Sequence, residues 1–241
     1  MMNQKEQVIK ALKQNSGYAT LGYLNAVLDF SFWGTKTPQA SVRRIVQEGE
    51  GSVFFKIRPG LWGLKSEEAA VLRKLQITPD NPQKEQDSSH SYYQGLLIHI
   101  GNMKRFKTCI PSQDRKRRFL EESLENIITL NKIYDFAYPE IMRRASTIDV
   151  IWFNERRMPN TCFEVEHTTD IQNSLLKFYE LQDFHTRFCI VAAEYRKQQF
   201  CDLLNRSVFQ PLKDRVDFVD YEKLANQYDK MYALANVPQI V

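Results

Sequence analysis

Residues 147–167, TIDVIWFNERRMPNTCFEVEH, decide how the chain is read. TIDVIWF and CFEVEH are rich in β-branched and aromatic residues. Met158-Pro159-Asn160 supplies turn residues between them, so the segment predicts two neighbouring strands. Each strand carries charge inside an apolar run. Asp149 lies between Ile148 and Val150-Ile151-Trp152, and Glu164 and Glu166 flank Val165. Residues two apart on a strand share a face, so the two glutamates project together. Three carboxylates on adjacent buried strands repel one another and lose their hydration. A divalent cation resolves the conflict: Mg2+ takes carboxylate oxygens, with Mn2+ as a substitute. Such an ion polarises a phosphate and activates water. The same pattern also describes an exposed hairpin of alternating polarity. Asp149 on the neighbouring strand, and the helix that follows, weigh against that simpler account.

Outward from this pair, helical and extended periods alternate. Residues 92–103 predict a helix and 106–110 a strand. A charged helix is expected over 115–131, with Phe119, Leu120, Leu124, Ile127 and Ile128 as its apolar stripe. Residues 171–184 predict a helix, 188–193 a buried strand, 196–205 a helix and 216–219 a final strand. The alternation predicts an α/β domain with a mixed sheet flanked by helices. Residues 78–91, TPDNPQKEQDSSHS, are polar, contain two prolines and predict a linker. The expected division is residues 1–66, a linker over 67–91, and a second domain over 92–241.

The N-terminal piece predicts three helices and a hairpin. Residues 3–14 place Val8, Ile9 and Leu12 at helical spacing. Thr20 caps a second helix carrying Leu21, Leu24, Val27 and Leu28. Thr37-Pro38 opens a third, which ends at Gly49. Strands at 53–57 and 61–64 then enclose the turn Arg58-Pro59-Gly60. Three helices and a two-stranded wing make a winged helix-turn-helix. On the third helix Gln39, Arg43 and Gln47 are four apart and share a side. With Arg44, and with Lys56 and Arg58 on the wing, they are candidates for DNA contact. Equally, an amphipathic helix always has a solvated polar side.

Charge is unevenly spread. Residues 1–66 hold nine Lys or Arg against four Asp or Glu, and the remainder holds twenty-four against twenty-five. The basic excess is therefore confined to the segment with the predicted recognition helix. No stretch is apolar for the eighteen or so residues a membrane span requires, and MMNQKEQVIKALKQ lacks an apolar signal core. These features predict a soluble, cytoplasmic protein. Cys109, Cys162, Cys189 and Cys201 form no CxxC pair and read as free thiols, not as a zinc site or disulfide framework.

Two resemblances add to this reading. TPQASVRRIVQEG (37–49) followed by FFKIRPGLWGL (54–64) resembles the HARE-type winged-helix module, which implies a nucleic-acid-linked or chromatin-linked adaptor. Asp149, fourteen intervening residues, then Glu164-Val165-Glu166 and a helix, a strand and a helix, resembles the PD-(D/E)XK restriction-endonuclease-like superfamily. SYYQGLLIHIGNMKRFKTCIPSQDR (91–115), IDVIWF (148–153) and FEVEHTTDIQNSLLKF (163–178) are similar to bacterial restriction endonucleases. That likeness implies that Asp149 and Glu164 hold the metal. It also implies that Glu166, standing where most members carry lysine, is a general base or a further metal ligand. It departs from the pattern at Ile148, where proline is the loose preference. Gln94 takes the place of a helix acid that touches a second metal. Lys177, from the following helix, is a candidate to supply the missing lysine's charge, and an exposed helix lysine is the plainer account. His167 is a candidate to orient Glu166 or contact phosphate. Gln113 and Arg115 are candidates to face DNA, with Asp114 between them an alternative helix cap.

Together these features imply a metal-dependent, type II restriction-like endonuclease that hydrolyses double-stranded DNA as a homodimer. Two other readings fit the same fold. One is a DNA-binding or regulatory protein that has lost catalysis, favoured by Glu166. The other is a repair or junction nuclease, for which no motif speaks.

Overall fold

The computed structural model describes residues 2–77, 81–167 and 170–236. The chain divides into two compact units, one formed by residues 1–79 and 225–241 and the other by 80–224.

The first unit opens with α1 (Gln4–Gln14). Asn3 and Glu6 cap one another's backbone there in a reciprocal box. β1 (Tyr18–Thr20) leads into α2 (Leu21–Val27), and the Thr20 side chain accepts the Tyr23 N–H. α3 (Pro38–Glu48) follows, with proline in its first turn. β2 (Phe54–Arg58) and β3 (Leu61–Leu64) form the expected hairpin, and Gly60 takes a positive φ of 77° in its turn. The hairpin is not a lone pair: β1 adds antiparallel to β3, giving the order β1-β3-β2. Three residues are too short to show alternation, so YAT is not legible as a strand from its sequence. Val8, Leu12, Leu24, Val42, Val46, Phe54 and Trp62 close the core of this unit.

α4 (Glu68–Lys74) completes the first run of chain, and the second unit begins with α5 (Pro82–Met103). Much of the expected linker is therefore helical, while its residues 78–80 lie outside the described part. Asn81 accepts the Lys84 N–H at the start of α5 and Pro82 occupies the first turn. A polar stretch with a good cap extends a helix whose apolar half is anchored. Beyond Ser91 most residues of α5 are buried.

β4 (Lys107–Cys109) follows. The next segment departs from the expected helix over 115–131. It forms β5 (Arg118–Phe119) and β6 (Glu122–Ser123), a tight hairpin with Leu120 at φ 53°, then a single turn, α6 (Leu124–Ile127). Phe119, Leu124 and Ile127 are buried as the apolar stripe suggested. Tertiary packing overrides the helical period: Phe119 lies directly over Gly95 of α5, where a Cβ would overlap the ring.

α7 (Pro139–Ala145), which the sequence pattern did not predict, precedes β7 (Val150–Phe153) and β8 (Pro159–Glu166). Then come α8 (Ile171–Tyr179), β9 (Arg187–Ala192), α9 (Lys197–Leu204) and β10 (Val216–Asp220). The sheet order is β10-β9-β8-β7-β4. β8, β9 and β10 are parallel, while β7 and β4 run antiparallel to their neighbours, so the sheet is mixed. Helices flank it, with Phe153, Leu175, Phe178, Phe188 and Ile190 at the centre of the core. A last helix, α10 (Tyr221–Ala235), lies beyond the final strand that the sequence predicts. Its residues from Ala225 group with the first unit, whereas the expected division places them in the second domain. There Asp229 accepts the Gly22 N–H at 2.7 Å.

Cys109, Cys162, Cys189 and Cys201 are free. Among the described residues no helix is long and apolar enough to cross a membrane.

Candidate active site

β8 is the central strand of the sheet, hydrogen-bonded on both sides, and its face assignments follow the two-residue period. Phe163 turns to one face, where its ring meets Trp152 at 4.5 Å between centroids. Glu164 and Glu166 turn to the other, towards α8, and are only 2% and 6% exposed. Such burial of carboxylates requires partners, and α8 supplies them. Asp170 caps its N-terminus by accepting the Gln172 N–H. That start brings Ser174 and Lys177, three residues apart, onto the side facing the strand.

Lys177 Nζ donates to Glu164 Oε2 at 2.7 Å and Oε1 at 3.0 Å, and also to the Thr147 carbonyl at 3.1 Å. The Ser174 hydroxyl lies 3.0 Å from Glu164 Oε2 and 2.5 Å from Glu166 Oε1. A hydroxyl has one proton to donate, so it cannot serve two fully ionised carboxylates at once. Burial first, and then the Asp149 charge, push Glu164 well above the usual carboxylate range in spite of Lys177. Arg196, buried just beyond β9, approaches Glu166 Oε2 at 3.9 Å.

Asp149 sits immediately before β7. Its Oδ2 accepts the Val165 N–H at 2.7 Å, and its own N–H points to Glu164 Oε1 at 3.4 Å. Its Oδ1 lies 3.5 Å from His90 Nε2 on α5. Burial alone would raise the pKa of Asp149, but the His90 contact and the Val165 bond outweigh it and hold the carboxyl low. Burial likewise opposes protonation of His90, and Asp149 outweighs it, so the imidazole pKa is raised.

Asp149, Glu164, Glu166, Lys177 and His167 thus line a single cleft of about 440 Å3, together with His90 and Arg117. His167 follows β8, and its Nδ1 lies 2.8 Å from the Tyr221 hydroxyl, which also donates to the Glu166 carbonyl. Gln94 is fully buried, and its amide donates to Asp114 Oδ2 at 2.9 Å and to the Asp149 carbonyl at 3.2 Å.

The remaining candidates are elsewhere. Gln113 and Arg115 line a separate cleft of about 320 Å3, and Arg115 is spent on the Asn131 carbonyl. Arg117, two residues on, is the one that reaches the carboxylate cleft. Gln39, Arg44, Gln47 and Lys56 are exposed on the first unit. Arg58 is half-buried, and Arg43 approaches Asp229 at 3.7 Å.

His90, Asp114, Ser174 and Arg196 are site residues that the sequence pattern does not single out. Only His90 has a usable signal, its position four before Gln94 on what proves to be one helix. The other three are joined to the acids by tertiary structure alone.

The family described as Type II restriction enzyme NmeDI C-terminal domain matches residues 71–239 of the chain. Comparison with curated proteins and with solved structures gives no match.

Proposed function

The chain belongs to the family of the Type II restriction enzyme NmeDI C-terminal domain, and from that membership we propose that it is a metal-dependent endonuclease hydrolysing double-stranded DNA. The observation that carries the reading is the convergence of Asp149, Glu164, Glu166 and Lys177 on one cleft of the second unit. Its fold is in keeping with the restriction-endonuclease-like class.

The donor set fits a hard divalent cation such as Mg2+, with Mn2+ as substitute: its ligands are carboxylate oxygens that repel one another. Asp149 and Glu164 would hold it, with Glu166 beside them. Bound there, the ion would supply Lewis-acid polarisation of the phosphate and of the attacking water. The chain's own groups do the rest. The Val165 N–H and His90 orient Asp149, and Lys177 fixes Glu164. Glu166, held by Ser174, accepts the proton that water loses on attack. Arg117, with His167 beside it on the cleft wall, would face the phosphate, and the guanidinium would offset its growing charge.

The first unit, with three helices and a small antiparallel sheet, is read as a winged helix. Gln39, Arg44 and Gln47 on α3 and Lys56 on the hairpin would meet the duplex. Arg43 and Arg58, less exposed, would play a smaller part. Cutting both strands in one event favours a twofold dimer.

One observation favours a second reading, a DNA-binding protein without catalysis. Lys177 and Arg196 already lie against Glu164 and Glu166. Incubating the chain with plasmid and phage DNA in Mg2+, Mn2+ or EDTA separates the two. The nuclease reading expects cutting that needs metal and is lost in Asp149→Ala and Glu164→Ala. Binding without cutting in every metal would leave the second reading standing.

A further inference from the structure

The cleft of about 320 Å3 that Gln113 and Arg115 line differs in charge from the carboxylate cleft. Arg115 and Lys132 line it, and among the described residues no acid does. Its floor is apolar, with Ile110, Ile148 and Ile151 almost wholly buried. We propose that this cleft binds a single nucleotide, its base on the isoleucine floor and its phosphate against Arg115 and Lys132. An unpaired nucleotide of a DNA strand is the expected source, and a free nucleotide offers the same chemistry. The strand source rests on the nuclease reading, whereas the cleft itself does not.

Arg115 points to an anion. It is half-buried, and its Nε is buried without a hydrogen-bond partner. The Asn131 carbonyl takes an N–H of its guanidinium, but a carbonyl leaves the charge in place, and among the described residues no carboxylate pairs with it. A guanidinium fork over an apolar floor suits a phosphate. Lys132 adds a second charge. Its partner Asp135 is 3.6 Å away, and both side chains are largely exposed, so the pair opens at little cost.

The other walls suit a base. The Ser146 and Thr147 hydroxyls, both in the lining, donate their protons to the Arg143 and Arg144 carbonyls at 2.8 Å. A hydroxyl has one proton, so what remains to a ligand is lone pairs. The amino and imino groups on the pairing edge of an unpaired base supply the matching donors, and its flat faces suit isoleucine. The volume stands at the lower end of the roughly 300–1,000 Å3 of small-ligand sites. Thr147 and Ile148 line this cleft, and the next residue, Asp149, lines the carboxylate cleft. A strand held at the acids therefore has a neighbouring nucleotide within reach.

Titration of the full chain in EDTA with the four deoxynucleoside 5′-monophosphates, their nucleosides and inorganic phosphate, followed by calorimetry, tests this. We expect at least one monophosphate to bind roughly tenfold tighter than its nucleoside or phosphate alone, because base and charged phosphate each contribute. Arg115→Gln should weaken that binding by a similar factor, and Lys132→Gln by about threefold. Arg117→Ala, in the carboxylate cleft, should leave it unchanged. No monophosphate binding, phosphate binding equally well, or binding that survives Lys132→Gln or is lost in Arg117→Ala overturns the proposal. Lys132 is exposed, so its variant decides the matter even if Arg115→Gln fails to fold. A duplex with one unpaired nucleotide should displace the monophosphate better than a fully paired duplex. Equal displacement by the two, or none, would overturn the strand source. Since no metal is present, failure of the nuclease reading would show separately, as absence of Mg2+-dependent cleavage.

Discussion

The cleft of the second unit and the α3 face of the first unit handle charge in opposite ways. Around β8 two carboxylates are almost wholly buried, and each has a cation of the chain against it. On α3, Gln39, Arg44 and Gln47 stand in solvent, and the Arg44–Glu48 pair at 4.0 Å is loose. Buried charge is costly unless paired, so a strand that keeps two adjacent glutamates does so against its own stability. Exposed charge costs little. The first arrangement therefore says more about function than the second, even though basic residues are the more familiar sign of a DNA-binding surface.

The sharpest way to break this contrast is to remove an acid. Glu164→Ala is expected to lower metal-dependent cleavage by roughly 10^3-fold or more, measured on supercoiled plasmid. Retained cutting would move the chemistry away from β8. Lys177→Ala leaves a buried carboxylate without its ammonium. It should reduce unfolding free energy by about 3 kcal/mol, and millimolar Mg2+ should raise its Tm by more than it raises that of the unsubstituted chain. An equal shift in both would show that Lys177 and the bound ion do not share Glu164. On the exposed side, Arg44→Ala should change stability by less than about 0.5 kcal/mol. It should lower duplex affinity only a few-fold and reduce the salt slope of binding by about one, as fluorescence anisotropy would measure.

The smallest effect concerns His99, half-buried in the second unit beside Phe119. Burial, only partly opposed by Glu122, holds its pKa below 6.5. The unfolded chain therefore binds the proton more readily, and stability falls as pH drops from 6.5 towards the lowered value. His99→Gln should flatten urea-denaturation midpoints across that window. An unchanged slope would show that His99 is not protonated on unfolding there.

Much of the architecture is legible because it rests on local pattern. The β7 and β8 strands, the shared face of Glu164 and Glu166, the α1 and α3 helices, the Thr20 cap of α2, and the β2–β3 hairpin all follow from spacing and turn chemistry, whereas Thr37 makes no side-chain cap bond at the start of α3. The segment 115–131 misleads because its apolar positions fit a helical period, and nothing local reveals that Phe119 rests on Gly95, twenty-four residues earlier. The polar residues 82–91 look like a linker since low apolar content says nothing of a cap at Asn81 or of a helix already anchored downstream. α10 escapes the sequence pattern altogether, and the structure groups most of it with the opposite end of the chain.

The sequence by itself determined which carboxylates share a face and which strands carry them, because side-chain direction along a strand depends only on parity. It marked Lys177 as a candidate on the following helix. What only the tertiary structure decided is which cations and hydroxyls meet those acids. Lys177 and Ser174 reach Glu164, Arg196 reaches Glu166, and His90 and Asp114 gather about Asp149. Those meetings depend on how helices lie across a sheet, and a hydrogen bond needs its atoms within about 3 Å of one another, a closeness that no linear spacing encodes.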